Sequence, residues 1–244
     1  MNYLTANWQA PPNVYAISTY RTGGVSLGAY RSFNLATHVG DELAAVQQNR
    51  QRLKTSLALP SEPFWLTQTH SAQAVRAQLG VTSVSADASY SKQAGIVCAV
   101  LTADCLPVLL CSTDGLQIAA IHAGWRGLAL GIISNTIAQL RADNPACQLI
   151  AWLGPAIGSQ AFEIGAEVRA AFIDQRAAAA SAFTPSQNGK WLADIYSLAR
   201  LELTEQGIDA VYGGGWCSVS DAERFYSYRR DNLTGRMASL IWRS

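Results

Sequence analysis

Apolar positions recur along this chain in two different rhythms. Residues 14–19, 64–68, 74–77, 96–102, 107–111, 116–122 and 149–153 form short runs that are apolar almost throughout. They lack strict alternation, so each predicts a strand covered on both faces. Ser112-Thr-Asp-Gly115 has turn chemistry, which predicts that 107–111 and 116–122 pair as an antiparallel hairpin.

The second rhythm is the three-to-four-residue spacing of helices. Asp41 is placed to cap a helix running to about Leu57, with Leu43, Val46 and Leu53 as its apolar stripe. A second helix is expected after Gly127 to about Ala142, with Leu130, Ile133, Ile137 and Leu140 on one face. Alanine richness predicts a third over about 166–180. A fourth covers about 193–206, with Asp194 near its start and Gly207 as its stop, and 184–189 reads as a loop. No repeat or composition break interrupts the pattern. The expectation is one domain over 1–244, α+β in class, with mixed or antiparallel sheets.

Composition narrows the function. Hydrophobic residues make up 49% and charged residues 14%, which describes a packed chain rather than a disordered one. A net charge of +1 gives no electrostatic footprint for nucleic acid. The N-terminal residues carry no export signal, and no apolar run reaches the ~18 residues of a membrane span. Five cysteines, an odd number, then read as reduced thiols in the cytoplasm. Four of them sit in or near apolar runs; Cys105 differs, being preceded by an acid at the mouth of a strand. The cations are 15 Arg and 3 Lys, and Arg224, Arg229, Arg230 and Arg236 fall within thirteen residues. Arginine suits bidentate recognition of phosphate or carboxylate.

Acid/base and metal chemistry must pass through few groups, because there are only three histidines. His70, Cys105 and His122 would make a His₂Cys set, the donor types of zinc, with the fourth position left open as in catalytic sites. Other readings compete. His122 could be a hydrogen-bonded core histidine, or Cys105 a nucleophile activated by His122. His38 could close the set as a fourth ligand of a structural zinc. Asp104 is a tempting acid to orient His122, but neighbours in a strand point to opposite faces, so it shares a site with Cys105 only if the strand breaks there. In His122-Ala-Gly-Trp-Arg-Gly127, free N–H groups and Arg126 converge at a strand end, a good place for an anion. Gly154-Pro-Ala-Ile-Gly158 is a similar turn, and Arg21, Gly23, Gly24 and Asn34 form a further polar loop.

These segments resemble the YfiH or laccase-domain family, whose members are also described as polyphenol oxidase, purine nucleoside phosphorylase and peptidoglycan editing factor. The resemblance runs in order through Arg21-Thr-Gly-Gly-Val-Ser26, His38-Val-Gly-Asp41, Gln68-Thr-His70, Leu101-Thr-Ala-Asp-Cys105 and His122-Ala-Gly-Trp-Arg-Gly127. It continues through Gly154-Pro-Ala-Ile-Gly158, Phe162-Glu-Ile-Gly165, Phe225-Tyr-Ser-Tyr-Arg-Arg-Asp231 and Thr234-Gly-Arg236. It implies an α+β fold with sheets layered between helices, and zinc held by His70, Cys105 and His122. It also implies phosphorolysis of adenosine, inosine, guanosine and methylthioadenosine, with deamination of adenosine.

Within that frame Arg126, Arg229 and Arg230 are candidates for phosphate, Glu163 for ribose or proton handling, and Arg21 and Asn34 for further substrate contact. The paired P-C-x-x-C of the usual zinc deaminases is absent. Three histidines cannot hold the four coppers of a multicopper oxidase, so phenol oxidation would need copper at the one His₂Cys site. An alternative is a cytoplasmic amidase that edits peptidoglycan precursors by removing a misincorporated serine from a muramyl nucleotide. All these readings imply small-molecule partners, with neither nucleic acid nor membrane.

Overall fold

The apolar strand runs stack as two sheets face to face, which is why neither face of them alternates with polar residues. The structure, a computed structural model, describes residues 2–81, 84–142 and 144–244. One sheet has four antiparallel strands in the order β1 (Tyr3–Thr5), β2 (Val14–Thr19), β15 (Met237–Arg243) and β7 (Val97–Thr102). The other has six, in the order β14 (Val211–Gly213), β10 (Leu149–Leu153), β8 (Leu106–Ser112), β9 (Ile118–Ala123), β6 (Ala88–Ser91) and β4 (Ala74–Arg76). Its two outer pairs are parallel and its inner pairs antiparallel. Two small sheets join β11 (Glu163–Ile164), β13 (Trp191–Ala193) and β12 (Phe183–Pro185), and β3 (Leu66–Thr67) with β5 (Val84–Ser85).

Side-chain alternation assigns each face. From β7, Cys98 and Val100 meet Leu109 and Cys111 of β8 in the core between the sheets. Val97, Ala99 and Leu101 face outward onto Phe33, Leu35 and Leu53, the last from helix α1 (Leu43–Ser56). On the far side, Val108 and Leu110 of β8 pack against Ile133 and Ile137 of α3 (Ile132–Arg141) and Leu198 of α5 (Ile195–Glu205). The result is the layered α+β arrangement expected, with sheets packed between helices. Among the described residues, no helix is long and apolar enough to cross a membrane.

Several elements depart from the sequence expectation. The hairpin is present, Leu109 of β8 lying opposite Ala120 of β9. Asp194 caps α5 by accepting from the backbone N–H of Tyr196 and Ser197, as expected. Asp41, by contrast, does not cap α1: its carboxylate accepts from Ser26 Oγ at 2.6 Å and Asn34 Nδ2 at 2.9 Å. Leu43 is exposed, and the buried stripe is Val46, Asn49 and Leu53. The helix expected after Gly127 is two: α2 (Trp125–Ala129) and α3, separated by Gly131 at φ 80°, a left-handed turn that leaves Leu130 exposed. The alanine-rich stretch splits into α4 (Ala166–Ile173) and a 3₁₀ segment, Ala177–Ala182. Residues 184–189 are not all loop, since β12 and β13 form a hairpin there. The central strand β15 was not among the expected strands.

Candidate metal centre

The crossover between the two sheets builds the site. Strand β7 ends at Thr102 in one sheet and β8 starts at Leu106 in the other, so residues 103–105 step between layers. Asp104 sits at φ 84°, a left-handed turn that aspartate tolerates better than most residues. The strand therefore does break here. The Asp104 carboxylate nevertheless bonds neither histidine among the described residues, accepting instead from Ser218 Oγ and the backbone N–H of Arg229, each at 2.6 Å.

His122 lies near the end of β9, where alternation puts it on the same face as Ile118 and Ala120, between the sheets. His70 comes from the loop after β3 at φ 60°. The ring centroids of His70 and His122 are 4.9 Å apart, and Cys105 Sγ lies 3.7 Å from His70 Nε2. One donor atom from each of the three residues falls within 4.8 Å of the others, the only such group of three His, Cys, Asp or Glu among the described residues. Zinc bonds of ~2.3 Å to sulfur and ~2.0 Å to nitrogen place tetrahedral S and N ligands roughly 3.5 Å apart, so the donor set fits. Gly124 is required at this point: a Cβ there would sit 2.8 Å from His70 Cδ2 and 3.0 Å from Cys105 Sγ.

Asp87, just before β6, organises the three. Its side chain is fully buried, and its Oδ1 lies 2.8 Å from His122 Nδ1. The same carboxylate accepts from the backbone N–H groups of Thr69, His70 and Ser71 at 3.2, 3.0 and 2.6 Å, and from Ser71 Oγ at 2.7 Å. One acid thus orients the ring of His122 and clamps the loop that carries His70. This is the carboxylate–histidine arrangement common behind metal ligands, and it leaves His122 Nε2 for the centre.

Charges follow from these contacts. Burial opposes ionisation of Asp87, but hydrogen bonds from His122 and Ser71 hold the carboxyl well below its usual range. Burial also opposes a Cys105 thiolate, yet His122 and His70 outweigh it and bring the thiol down to about 6. His122 is raised to about 9, its burial overcome by Cys105 and Asp87. Burial pushes the Cys98 and Cys111 thiols up to about 12, as befits core cysteines.

The three donors floor a cleft of about 510 Å³ whose walls include Trp125, Arg126, Phe162, Tyr228, Arg229 and Arg236. Of the arginines expected to meet substrate, Arg126 and Arg229 are brought here and Arg230 is not. The Arg230 guanidinium is engaged by the carbonyls of Ser218, Val219 and Phe225 and by Asp231. Glu163 lies outside the cleft lining and pairs with Lys190 at 2.7 Å. Arg21 bonds the carbonyls of Arg31 and Ala222 and stacks on Tyr226. Asn34 is buried, bonding Ala36, Asp41 and the N–H of Arg236, so these last two serve the fold.

His38 lines the cleft but stands outside the three-donor group. Sequence reasoning missed Asp87 and the aromatic walls, and placed Arg236 in the anion-suited arginine cluster without giving it a role of its own. Arg236 is desolvated enough to lower its pKa, and its Nη1 donates to the carbonyls of Thr234 and Gly235.

Fold and site together define a layered α+β protein with one His₂Cys metal-type group beneath an arginine-walled, aromatic cleft. The chain belongs to the multi-copper polyphenol oxidoreductase laccase family, whose sequence signature matches residues 15–244. It is 50% identical over 241 residues to the purine nucleoside phosphorylase YfiH of Escherichia coli, covering 98% of each chain. It is 45% identical to a purine nucleoside phosphorylase of Haemophilus influenzae, covering 99% of each. Among solved structures it resembles Neisseria meningitidis protein NMB0706, with a TM-score of 0.94 at 50% identity over 100% of both chains. It also resembles YlmD of Geobacillus stearothermophilus, at 0.91 and 25% identity, covering 100% of this chain and 96% of that one. The plural copper of the family description finds one three-donor group among the described residues.

Proposed function

We propose that the chain is a zinc-dependent purine nucleoside phosphorylase acting on adenosine, inosine, guanosine and methylthioadenosine, with adenosine deamination as a second activity of the same cleft. One observation carries the reading: the His70–Cys105–His122 group lies at the base of a cleft that offers both flat aromatic surface and arginine. The volume, about 510 Å³, is that of a small-molecule site. Trp125, Phe162 and Tyr228 give a purine ring faces to pack on. Arg126 and Arg229 offer guanidinium groups to phosphate, holding it for attack at the ribose C1′ as the purine leaves. The phosphorylase names of relatives at 45–50% identity support the same choice.

A zinc held by His70, Cys105 and His122 would supply a Lewis acid beside the reacting groups. Asp87 keeps His122 turned toward the centre, and Gly124 leaves room for the ligand side chains. The assay is release of hypoxanthine from inosine by protein as purified. Release that needs phosphate and disappears in Cys105→Ala supports the reading; release unaffected by omitting phosphate contradicts it.

A second reading has its own support. His122 stands between Cys105 and Asp87, the order of a thiol, a base and an orienting acid. A cytoplasmic amidase working on a muramyl nucleotide would use that order, and serine release from such a substrate would select it over phosphorolysis.

A further inference from the structure

A second cavity of about 310 Å³ adjoins the metal cleft, sharing His38 and Leu101 as common wall. Its inner wall is Arg50 from α1. The Arg50 guanidinium stacks on the Trp65 ring, 4.2 Å from its centroid, and donates through Nε to the carbonyl of Leu35 at 2.9 Å. That bond uses one of its five donors. No partner for Nη1 or Nη2 occurs among the described residues. Both nitrogens stay open to the cavity, so they can donate to the acceptors of a bound ligand in place of water. Burial brings the Arg50 pKa down to about 10.

Two further observations point the same way. Ser61 Oγ is buried beside the cavity and lacks a hydrogen-bond partner. His38 is held below its ordinary pKa by burial and then by Arg236 on one side and Arg50 on the other, so the boundary between the cavities lies in a positive field. The acid that faces Arg50 is Glu62, and it is already engaged by Trp65 Nε1 at 3.0 Å and Lys54 Nζ at 3.9 Å.

We propose that this second cavity is a phosphate site, with the Arg50 guanidinium fork as its donor, the buried Ser61 hydroxyl joining it by rotating toward the cavity, and Trp65 as the platform that holds the fork flat. Bidentate arginine is the geometry that selects such oxyanions. The phosphate comes either as an ester on a ligand whose body lies in the metal cleft, or as the free ion. The site rests on its own residues and not on the reaction assigned to the cleft.

The test is calorimetric titration of the whole protein, metal retained, with adenosine 5′-monophosphate, adenosine and inorganic phosphate. In the wild type the monophosphate should bind more tightly than adenosine. Arg50→Gln should reduce that ratio by about ten- to a hundredfold, the range for one charge-assisted hydrogen-bonding group. If Arg50→Gln instead weakens inorganic phosphate by a similar factor, the source is the free ion and the site stands. Because Arg50 also bonds Leu35, Ser61→Ala is the second variant: it deletes an unpartnered hydroxyl, keeps the fold, and should weaken the same probe roughly fivefold. If both probes bind Ser61→Ala as they bind the wild type, and a folded Arg50→Gln does likewise, the proposal is overturned. Should Arg50→Gln fail to fold, Ser61→Ala alone decides it. Loss of phosphate-dependent hypoxanthine release would overturn the nucleoside reading without touching this one.

Discussion

Cys105 Sγ faces His70 Nε2 at 3.7 Å across the floor of the cleft, from the turn where the chain changes sheets. With His122 completing the group, the protein has donors for one metal ion of zinc type. Elemental analysis of protein made without added copper is expected to find about one zinc per chain. Several equivalents of copper would defeat the assignment.

His122, and after it His70, set Cys105 apart from the core cysteines Cys98 and Cys111. With its pKa brought down to about 6, the thiol is ionised at neutral pH in metal-free protein. Alkylation of Cys105 by iodoacetamide, followed peptide by peptide, should rise with a midpoint about pH 6, where an ordinary thiol titrates at about 8.5. Zinc should protect it, and the buried Cys98 and Cys111 should stay unlabelled in the folded protein.

Asp87→Asn keeps size and shape but removes the charge that orients His122 and clamps residues 69–71. Metal affinity is expected to fall roughly 10- to 100-fold, the range for loss of a supporting carboxylate, measured by competition with a chelating dye. The acid's folded pKa is depressed, so its stabilisation is present above the ordinary carboxylate value and lost as pH falls below it. The melting-temperature gap between wild type and variant should therefore be constant near neutrality and close only below about pH 4.

Gly124→Ala tests the close packing at the centre. The residue's φ of −68° suits alanine, so the cost is steric, a methyl group against His70 and Cys105. Circular dichroism should show the fold kept while metal content falls.

Arg229 and Arg230 are neighbours placed differently, although Arg229 too is tied to backbone, its Nη1 donating to the carbonyls of Ala161 and Glu163. Arg229 borders the cleft, so Arg229→Ala should raise the phosphate KM by about tenfold or more. Arg230 ties three carbonyls and Asp231, so Arg230→Ala should lower the melting temperature first. A phosphate KM unmoved by Arg229→Ala would remove that arginine from the proposed mechanism.

The three candidate donors were legible because histidine is scarce and both His70 and His122 close recognisable runs. Asp87 was not, because its partners are seventeen and thirty-five residues away and no local motif announces them. A signal did exist: Asp87 is flanked directly by Ala86 and Ala88 in a segment of small residues, and an acid there must be paired if buried. Strand β15 is harder to read, because Ser239 interrupts its short apolar run directly after the arginine-rich residues 224–236. Periodicity continues smoothly across Gly131, so the segment after Gly127 reads as one helix, although the glycine itself marks the break. Arg230 and Glu163 show the converse: charge and motif position identify a residue as interesting without saying which way it points.

The clamp on residues 69–71 bears on what the protein is without its metal. Small zinc domains collapse when chelated because the ion is their principal crosslink. Here the loop bearing His70 is tied by its own backbone amides to a buried carboxylate, and His122 is held by the same group. A chelator should empty the centre and leave the scaffold standing, ready to be refilled. Occupancy should then follow which ion the surroundings supply, and loading metal-free protein with zinc or with copper should give two preparations of one chain to compare.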